Sequence, residues 1–479
     1  MRNMKNKYNA FFLKEIHIIS IWLPLSCLSI ITTLSCTKFV KIPSPPNQLV
    51  TATVFADSLD ANAAILGIYI NMMPTSRLFT SGGITIYTGL SSDELFYNTG
   101  NSDESQFYSN SISPISNGAN DQLWVSAYEL IYQTNACIEG LNASNGLSVS
   151  LKKQLVGEAL FIRAFLYFNL TNIYGSVPLV TSTDYKINAV LPRASSAAIY
   201  MQIDGDLNIA QSFLPQNYGT TGNFRPNQFA ATSLLARVYL YQRNWDSAEI
   251  ASSRVINSGN YNLVPILNDV FLAGSNEGIW QLVPVFPGLE TTEGYYFVPS
   301  NVFVVPKYTI GPYLLNTFES GDQRRVDWID SNVVNGVSYY YPYKYKLGYD
   351  GNSSPIENYM VLRLAEQYLI RAEAEANGAA GGSNAAIGDL NVVRNRAGLP
   401  NYLGSTSPDS VLNSIYHERK VELFCEWGHR WFDLKRTSQI NAVLGTEKVG
   451  WEADAALYPI PSAEIQLNPY LTQNDGYEN

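Results

Sequence analysis

AATSLLARVYLYQRNWDSAEIASSRVI, residues 230–256, is the stretch that decides the fold. Apolar residues recur in it at intervals of three and four, which is the spacing of one face of an α-helix. The pattern breaks at Arg243 and Asn244, so it predicts two helices, over 227–242 and 245–257, joined by a short turn. The predicted contact between the two helices contains only small side chains, namely Ala230, Ala231, Ala236, Ala248 and Ala251.

The same helical periodicity recurs along the rest of the chain. It predicts a second pair of helices over 360–377 and 384–396, and further helices over 121–142, 151–174 and 195–214. Gly175 follows the helix over 151–174 directly, and a glycine at that place favours the end of a helix. These helix pairs resemble tetratricopeptide units, which stack so that each pair buries the face of its neighbour. Such an array implies a binding scaffold and no chemistry of its own.

Two long segments between the helices have a different composition. Residues 74–120 are rich in Ser, Gly and Asn, and residues 259–357 contain short β-like runs at 278–283, 301–305 and 337–341. Loops of this length in a compact protein usually carry function. The sequence therefore predicts a mainly α fold, in which tetratricopeptide-like helix pairs form a scaffold with a long loop-rich insertion that contains short β-strands.

The first 50 residues form a separate unit. A basic start is followed by an apolar run that ends at Leu34, Ser35 and Cys36, as in a lipoprotein signal peptide over 1–35. Cys36 is the predicted lipidation site, Cys27 is a second candidate, and a transmembrane anchor is the alternative interpretation of the apolar run. Residues 36–50 are rich in Pro and predict an extended tether to a single domain over 51–479.

Composition restricts the class of protein. The formal net charge of −10 argues against nucleic acid as a partner, because a nucleic-acid backbone requires a basic surface. Only 15% of the residues are charged and 13% are aromatic, including 32 Tyr, which suits recognition through flat, amphipathic contacts. Cys137 and Cys425 both lie in apolar helical patterns, where an oxidising compartment permits a disulfide and two separate buried thiols are the alternative.

The segment HERKVELFCEWGHRWFDLKR, residues 417–436, contains two of the three histidines. In a continuous helix, with a rise of about 1.5 Å per residue, His417 and His429 are roughly 18 Å apart and do not share one metal ion. No metal or cofactor is predicted. The glutamates recur at every fourth position and require cations beside them. We therefore expect a semi-buried network between Glu418, Glu422 and Glu426 and the nearby Arg363, Arg371, Arg394, Arg396, Arg419, Arg430, Lys435 and Arg436.

Five segments in order resemble the SusD/RagB family of nutrient-binding outer-membrane lipoproteins. They are GEALFIRAFLYFNLTNIYGSVPLV (157–180), NYMVLRLAEQYLIRAEAEANG (358–378), VVRNRAGLP (392–400), the segment 417–436 and LYPIPSAEIQLNPYLTQNDGY (457–477). The resemblance implies a tetratricopeptide-like bundle without catalytic activity, whose loop-rich face binds a glycan or other oligomeric nutrient. It also implies a TonB-dependent, SusC-like outer-membrane transporter as partner. The chain departs from the family pattern at two places. Basic residues follow Cys36, and Asp475 stands where relatives have Pro.

The candidate ligand contacts are aromatic residues in irregular, polar surroundings, because aromatic rings stack on the apolar faces of sugars. They are Phe96, Tyr97, Tyr295, Tyr296 and Trp328. A glycoside hydrolase would need a pair of carboxylates, and the candidates in this chain are Asp93–Glu94, Asp103–Glu104 and Asp322–Asp327. The chain lacks the Gly-x-Ser-x-Gly, phosphate-loop and dinucleotide motifs, so it is not predicted to be an enzyme.

The predicted function is capture of an oligosaccharide or similar nutrient at the cell surface and its delivery to the TonB-dependent transporter. The predicted location is the outer membrane, with the protein held by its lipid anchor and facing the exterior. Two alternatives belong to other classes: a secreted glycoside hydrolase, and a repeat scaffold used only for protein–protein contacts.

Overall fold

The computed structural model describes residues 54–218, 222–349, 351 and 354–478. The predicted signal peptide, the tether and Cys36 lie outside the described residues. Residues 51–479 form one compact unit. Among the described helices, none has both the length and the apolar character that crossing a bilayer requires.

The described part of the chain is mainly helical, as predicted. In chain order the α-helices are α1 (Ser58–Asn71), α2 (Ile84–Ser91), α3 (Ser102–Tyr108), α4 (Gly118–Ala143), α5 (Val149–Tyr174), α6 (Tyr185–Asn188), α7 (Ser196–Phe213), α8 (Gln228–Tyr241), α9 (Trp245–Ile256), α10 (Thr292–Phe297), α11 (Pro312–Leu315), α12 (Gln323–Asp327), α13 (Leu364–Ala376), α14 (Gly382–Arg396), α15 (Pro408–Glu422), α16 (His429–Arg436), α17 (Ile440–Glu447) and α18 (Ser462–Leu467).

The strands are short and pair only in twos. They are β1 (Leu95–Tyr97), β2 (Val177–Pro178), β3 (Arg193–Ala194), β4 (Gly278–Leu282), β5 (Tyr308–Ile310), β6 (Ile329–Val334), β7 (Val337–Pro342) and β8 (Tyr359–Arg363). Four antiparallel pairs result: β1 with β5, β2 with β3, β4 with β8, and β6 with β7. The predicted β-like runs at 278–283 and 337–341 are thereby confirmed as β4 and β7.

The helix pair α8–α9 forms as the opening stretch predicts. The side chains of Asn227 and Asn244 cap the two helices, each accepting a hydrogen bond from a backbone N–H of the first turn. The small residues of both helices are buried, and Ala236 and Ala248 share one apolar cluster with Ile370 of α13. The next pair, α13–α14, therefore packs directly on the first, which confirms the stacking of tetratricopeptide-like units.

Two element predictions in the insertion and after it are wrong. Residues 360–363 do not belong to the helix predicted over 360–377; they are part of β8, a fully buried run that pairs with the buried strand β4. Residues 301–305 form a turn instead of a strand. Its carbonyls at Asn301 and Val304 accept hydrogen bonds from the Asn332 amide, at 2.9 and 2.7 Å, and Phe303 is 82% exposed.

The core is centred on α5, which is buried over most of its circumference. Phe161 and Phe165 of this helix meet the ring of Trp280 on β4 edge-on, at centroid distances of 4.7 and 5.2 Å. Cys137 and Cys425 are both buried free thiols, so the alternative of two separate thiols is confirmed.

A buried network of ion pairs joins the last third of the chain to the scaffold, as predicted. Arg363 donates to Glu422 at 2.5 Å and to Glu426 at 2.9 Å, and Arg396 also binds Glu422. Arg394 binds Glu418 at 3.4 Å. The network is fully buried at its centre, which is more than the semi-buried arrangement expected.

Several predicted members of this network have other partners. Arg371 pairs with Asp389, Arg419 and Arg436 pair with Asp433, Arg430 pairs with Asp93, and Lys435 donates to the Asn172 carbonyl. Conversely, Arg324 and Lys344 join the network, although the sequence gives no local reason to include them.

The segment 417–436 is not one continuous helix. α15 ends at Glu422, and Cys425, Trp427 and Gly428 have positive φ angles of 51°, 46° and 73° before α16 begins. The separation that a continuous helix gives for the two histidines therefore does not apply. Within the described ranges, His429 is buried and His417 lies beside Glu319.

Candidate ligand-binding cleft

A cleft of about 500 Å³ lies in the loop-rich segment that the sequence predicts over 259–357. One wall consists of α10 and the chain that follows it, and the other consists of residues 346–349. The lining residues are Tyr295, Tyr296, Val298, Pro299, Ser300, Val304, Val305, Lys307, Lys346, Leu347, Gly348 and Tyr349. Aromatic, aliphatic and basic side chains therefore share one concave surface.

Two glycines allow the walls to touch. A Cβ atom added to Gly294 would lie 2.1 Å from the carbonyl oxygen of Leu347, and one added to Gly348 would lie 3.0 Å from the Cα of Tyr295. Neither obstacle is a flexible side chain, so only glycine fits at this separation. This close approach fixes the position of Tyr295 and Tyr296 relative to the opposite wall.

Buried carboxylates anchor the second wall from behind. Glu357 accepts hydrogen bonds from the backbone N–H groups of Lys346, at 2.6 Å, and Leu347, at 3.2 Å. Glu290 accepts in turn from the N–H of Glu357 at 2.8 Å. Burial raises the pKa of Glu357 to about 7, despite the two N–H donors that favour its ionised form. The wall is thus held by backbone contacts that do not involve its cleft-facing side chains.

Two neighbouring tyrosines form the aromatic surface of the first wall. The rings of Tyr295 and Tyr296 meet edge-to-face, with centroids 5.1 Å apart. The ammonium of Lys307 lies 4.9 Å and 4.8 Å from the two centroids. Arg77, which is ion-paired to Glu104, lies with its guanidinium 4.8 Å from the Tyr296 ring. Tyr295 is 44% exposed and is accessible to a ligand.

The structure brings together some of the predicted contact residues. Tyr295 and Tyr296 line the cleft. Phe96 and Tyr97 are half-buried on β1, where both rings pack on Tyr108, at 5.1 and 5.7 Å. They lie beside the cleft without lining it: β1 pairs with β5, and the N–H of Asn98 donates to the carbonyl of Lys307.

The prediction for Trp328 is wrong. Its side chain is 0% exposed, its indole N–H donates to the Leu267 carbonyl at 3.0 Å, and its ring packs on Phe271. The charged residues next to it in sequence suggested a surface position. However, Trp328 lies where α12 ends and β6 begins, and the chain turns its side chain into the core. It has no free face on which a ligand can stack.

Three cleft residues were missed from the sequence. Tyr349 is 70% exposed and lies between Gly348 and Gly351 in a polar loop, so the criterion used for the other aromatics also selects it. Lys307 and Lys346 have no local signal, because only the fold brings them to the aromatic residues. Their inclusion changes the chemistry of the site from purely aromatic to aromatic and cationic.

A smaller cavity, of about 240 Å³, lies beside α15, α16 and α17. Most of its charged side chains are paired with one another or with close neighbours: Arg419 with Asp433, at 2.8 Å, and Lys420 with Asp93, at 2.7 Å. Glu94 instead accepts a hydrogen bond from the N–H of Cys425 at 3.0 Å, and burial raises its pKa to about 8. We therefore assign these groups to the stability of the scaffold.

Comparisons with known proteins identify the class that this fold and cleft define. A family model described as "Starch-binding associating with outer membrane" matches residues 53–240, and one described as "SusD family" matches residues 316–477. Both models describe SusD-type proteins, and together they cover more than two thirds of the chain. The chain belongs to the SusD family, which confirms the resemblance found in the sequence.

Individual relatives match over almost their full length. The chain is 27% identical to SusD-like protein P2 of Formosa agariphila, over 94% of this chain and 98% of the relative. It is 24% identical to SusD-like protein P25 of the same organism, over 96% and 98%.

Solved structures show the same fold. A SusD superfamily protein of Bacteroides vulgatus superposes with a TM-score of 0.77 at 22% identity, over 89% of this chain and 100% of that one. A laminarin-binding SusD-like protein gives 0.75 at 24% identity, over 88% and 100%. Surface glycan-binding protein A of Bacteroides thetaiotaomicron, in complex with laminarihexaose, gives 0.74 at 19% identity, over 87% and 99%.

Proposed function

We propose that this protein captures a glycan at the cell surface and holds it in the cleft between α10 and residues 346–349. The observation that carries the proposal is the exposure of Tyr295 and Tyr349 on the two sides of a cleft of about 500 Å³. A volume of this size suits a small ligand or a short section of a chain. Two structural neighbours, the laminarin-binding SusD-like protein and surface glycan-binding protein A in complex with laminarihexaose, support carbohydrate as the ligand class.

Binding is expected to use a preformed surface. Sugar rings have apolar faces of C–H groups, and the tyrosine rings offer flat partners for them at little cost in side-chain entropy. The glycine contacts at Gly294 and Gly348 fix the two walls before the ligand arrives. Preorganisation of this kind reduces the ordering that binding would otherwise require.

Partners and location are part of the same proposal. Membership of the SusD family and the family description that mentions the outer membrane support a lipid anchor at Cys36 on the exterior face of that membrane. They also support delivery of the glycan to a TonB-dependent, SusC-like transporter.

We propose that the protein does not cleave its ligand. Each candidate pair of hydrolase carboxylates has a member that is engaged in a structural ion pair. Asp93 binds Arg430 and Lys420, Asp322 binds Arg324, and Glu104 binds Arg77. Among the described lining residues of the cleft there is no Asp or Glu. General acid and base catalysis of glycoside hydrolysis needs such a pair beside the bond that breaks.

The test is a screen of purified, soluble protein (residues 51–479) against a panel of polysaccharides, followed by calorimetric titration with those that bind. We expect binding without release of shorter sugars, and a loss of affinity of at least about tenfold in Tyr295→Ala and Tyr349→Ala. Tyr185→Ala is the matched control, because Tyr185 is 73% exposed on α6 and does not line the cleft. Glycan turnover would favour the hydrolase alternative, and binding that survives both cleft variants would refute the site.

A further inference from the structure

The cleft differs in charge from the protein around it. The chain as a whole carries a formal charge of −10, yet the described lining residues include two lysines and no acidic side chain. One lysine stands on each wall: Lys307 follows the turn at 301–305, and Lys346 belongs to the segment opposite. The carboxylates of Asp327, Glu357 and Asp330 offset the charge of Lys346, so Lys307 is the cation of the cleft that is placed to attract an anion.

Lys307 is placed to meet a ligand. Its side chain is exposed, and its ammonium lies over the rings of both Tyr295 and Tyr296, at 4.9 and 4.8 Å. Within the described residues it makes no ion pair with a carboxylate, so its charge is available to a ligand. A neutral sugar that stacks on these rings must displace the ammonium, whereas an anionic group binds to it and keeps it there.

Lys346, on the opposite wall, has an ammonium that the protein itself already engages. Its ammonium donates to the carbonyls of Asp327 and Tyr343, the latter at 2.5 Å, and lies 4.1 Å from the Tyr343 ring. Two of its three hydrogen-bond donors are therefore used, and one remains. Burial lowers the pKa of Lys346 to about 8, although Asp327, Glu357 and Asp330 act in the opposite direction, so the group is mainly protonated at neutral pH.

We propose that the glycan bound in this cleft is anionic and carries sulfate or carboxylate groups that bind Lys307. The inference rests on the proposed function as a glycan-binding protein and specifies its ligand class. Charge-assisted hydrogen bonds to the Lys307 ammonium add to stacking on the tyrosines and select against neutral chains, which gain nothing from this charge.

The experiment compares matched pairs of polysaccharides. The anionic probes are carrageenan, chondroitin sulfate, alginate and polygalacturonate, and each is paired with a neutral counterpart made by desulfation, by carboxyl reduction or, for chondroitin sulfate, by both. For a probe that binds, we expect affinity at least about tenfold higher than for the neutral counterpart. The preference should shrink as NaCl is raised from about 50 mM to about 500 mM, because salt shortens the range of the attraction.

Variants of Lys307 give the decisive comparison. Lys307→Gln should lower affinity for the anionic polymer by about tenfold and leave the affinity for its neutral counterpart unchanged or higher, while Lys307→Arg should retain the preference. Lys186→Gln, which removes an exposed lysine on α6, is the matched control and should behave as wild type.

The outcomes separate this inference from the function on which it rests. If neutral counterparts bind as tightly as anionic polymers, or if Lys307→Gln loses affinity for both equally, the anionic ligand class is refuted and glycan binding stands. If the wild-type protein binds neither member of any pair and no other polysaccharide of the screening panel, both proposals fail.

Discussion

Arg324 donates a hydrogen bond from Nη1 to Oε2 of Glu422 at 2.8 Å, although the two residues are 98 positions apart in the chain. Both side chains are 0% exposed. Glu422 also accepts from Arg363 and Arg396. Burial alone would raise its pKa, but the three guanidinium groups hold the pKa of the carboxyl well below its usual range. One carboxylate therefore compensates charge from three separate segments.

Removal of that carboxylate should be among the most destabilising single changes in the protein. Glu422→Ala is expected to lower the free energy of unfolding by about 3–5 kcal/mol, because it leaves buried arginines without their shared partner. Urea unfolding at pH 7 measures the loss. Glu319→Ala is the control: Glu319 is 39% exposed, and its partner Arg394 keeps Glu418 as a second carboxylate, so we expect a loss of only about 1 kcal/mol. Similar losses of unfolding free energy in both variants would show that Glu422 is not the central carboxylate of the network.

The contact between the cleft walls can be tested at Gly294. Gly294→Ala should force the walls apart, because its Cβ would lie 2.1 Å from the Leu347 carbonyl oxygen. We expect a loss of stability of about 1–3 kcal/mol and weaker glycan binding. Gly205→Ala, within α7 and with nothing near the added Cβ, should instead stabilise the protein by about 0.5–1 kcal/mol. Unchanged binding by Gly294→Ala would show that the cleft does not depend on this contact.

Glu293 should make stability depend on pH. It is buried in α10, forms no ion pair among the described residues, and burial raises its pKa to about 7, from an ordinary value of 4.5. Between these two pH values the folded protein keeps a proton that the unfolded chain releases. The stabilising contribution is therefore complete below pH 4.5 and lost as the pH rises through about 7.

Glu293→Gln removes this titration. Relative to wild type, the variant should gain on the order of 1–3 kcal/mol of stability between pH 4.5 and pH 8, because its amide stays neutral. Urea unfolding of both proteins across this range measures the difference. Parallel curves for the two proteins would show that Glu293 titrates normally in the folded state.

Trp328 and Tyr349 should respond to substitution in opposite ways. Trp328→Ala is expected to cost about 3–5 kcal/mol of stability, since it empties a core position. Tyr349→Ala should change stability by less than about 0.5 kcal/mol, because the ring is 70% exposed, and should still impair glycan binding. Unfolding and titration experiments on the same preparations separate the two effects. A stable Trp328→Ala variant with lost binding would restore Trp328 as a ligand contact.

The lipid anchor is tested in cells that produce the full chain. Cys36→Ala should abolish lipid labelling and release soluble protein, since the predicted attachment site is lost. Cys27→Ala is the matched control and should leave labelling unchanged. Labelling that persists in Cys36→Ala would favour Cys27, and a protein that stays in the membrane without label would favour a transmembrane anchor.

The helical scaffold could be predicted from the sequence because the pattern that marks each helix is local. α5, α8 and α9 each carry a three-and-four apolar repeat together with capping residues, and their ends were predicted to within a few residues. β8 was not predicted, because a short apolar run fits a buried strand as well as a helix, and only its pairing with β4 decides. The turn at 301–305 depends likewise on the distant side chain of Asn332.

For the same reason, only part of the cleft could be predicted from the sequence. Tyr295 and Tyr296 stand in a polar stretch that marks them as exposed, but the polar neighbours of Trp328 misled the same criterion. Lys307 and Lys346 acquire their meaning only where the fold places them against the aromatic rings. No periodicity connects residues that far apart. The aromatic half of the site was therefore predictable and the cationic half was not.

The order in which the chain is made gives the ion network of Glu422 a further consequence. A protein exported N-terminus first presents Arg324, Arg363 and Arg396 to the new compartment before Glu418, Glu422 and Glu426 arrive. Until residues 418–426 follow, Arg324 has Asp322 as its buried partner, and Arg363 and Arg396 share Glu277, so three guanidinium groups have only two carboxylates beside them. Closure of the scaffold therefore requires a nearly complete chain, because a product that ends before Glu418 leaves buried positive charge without enough partners. The network distinguishes finished molecules from fragments.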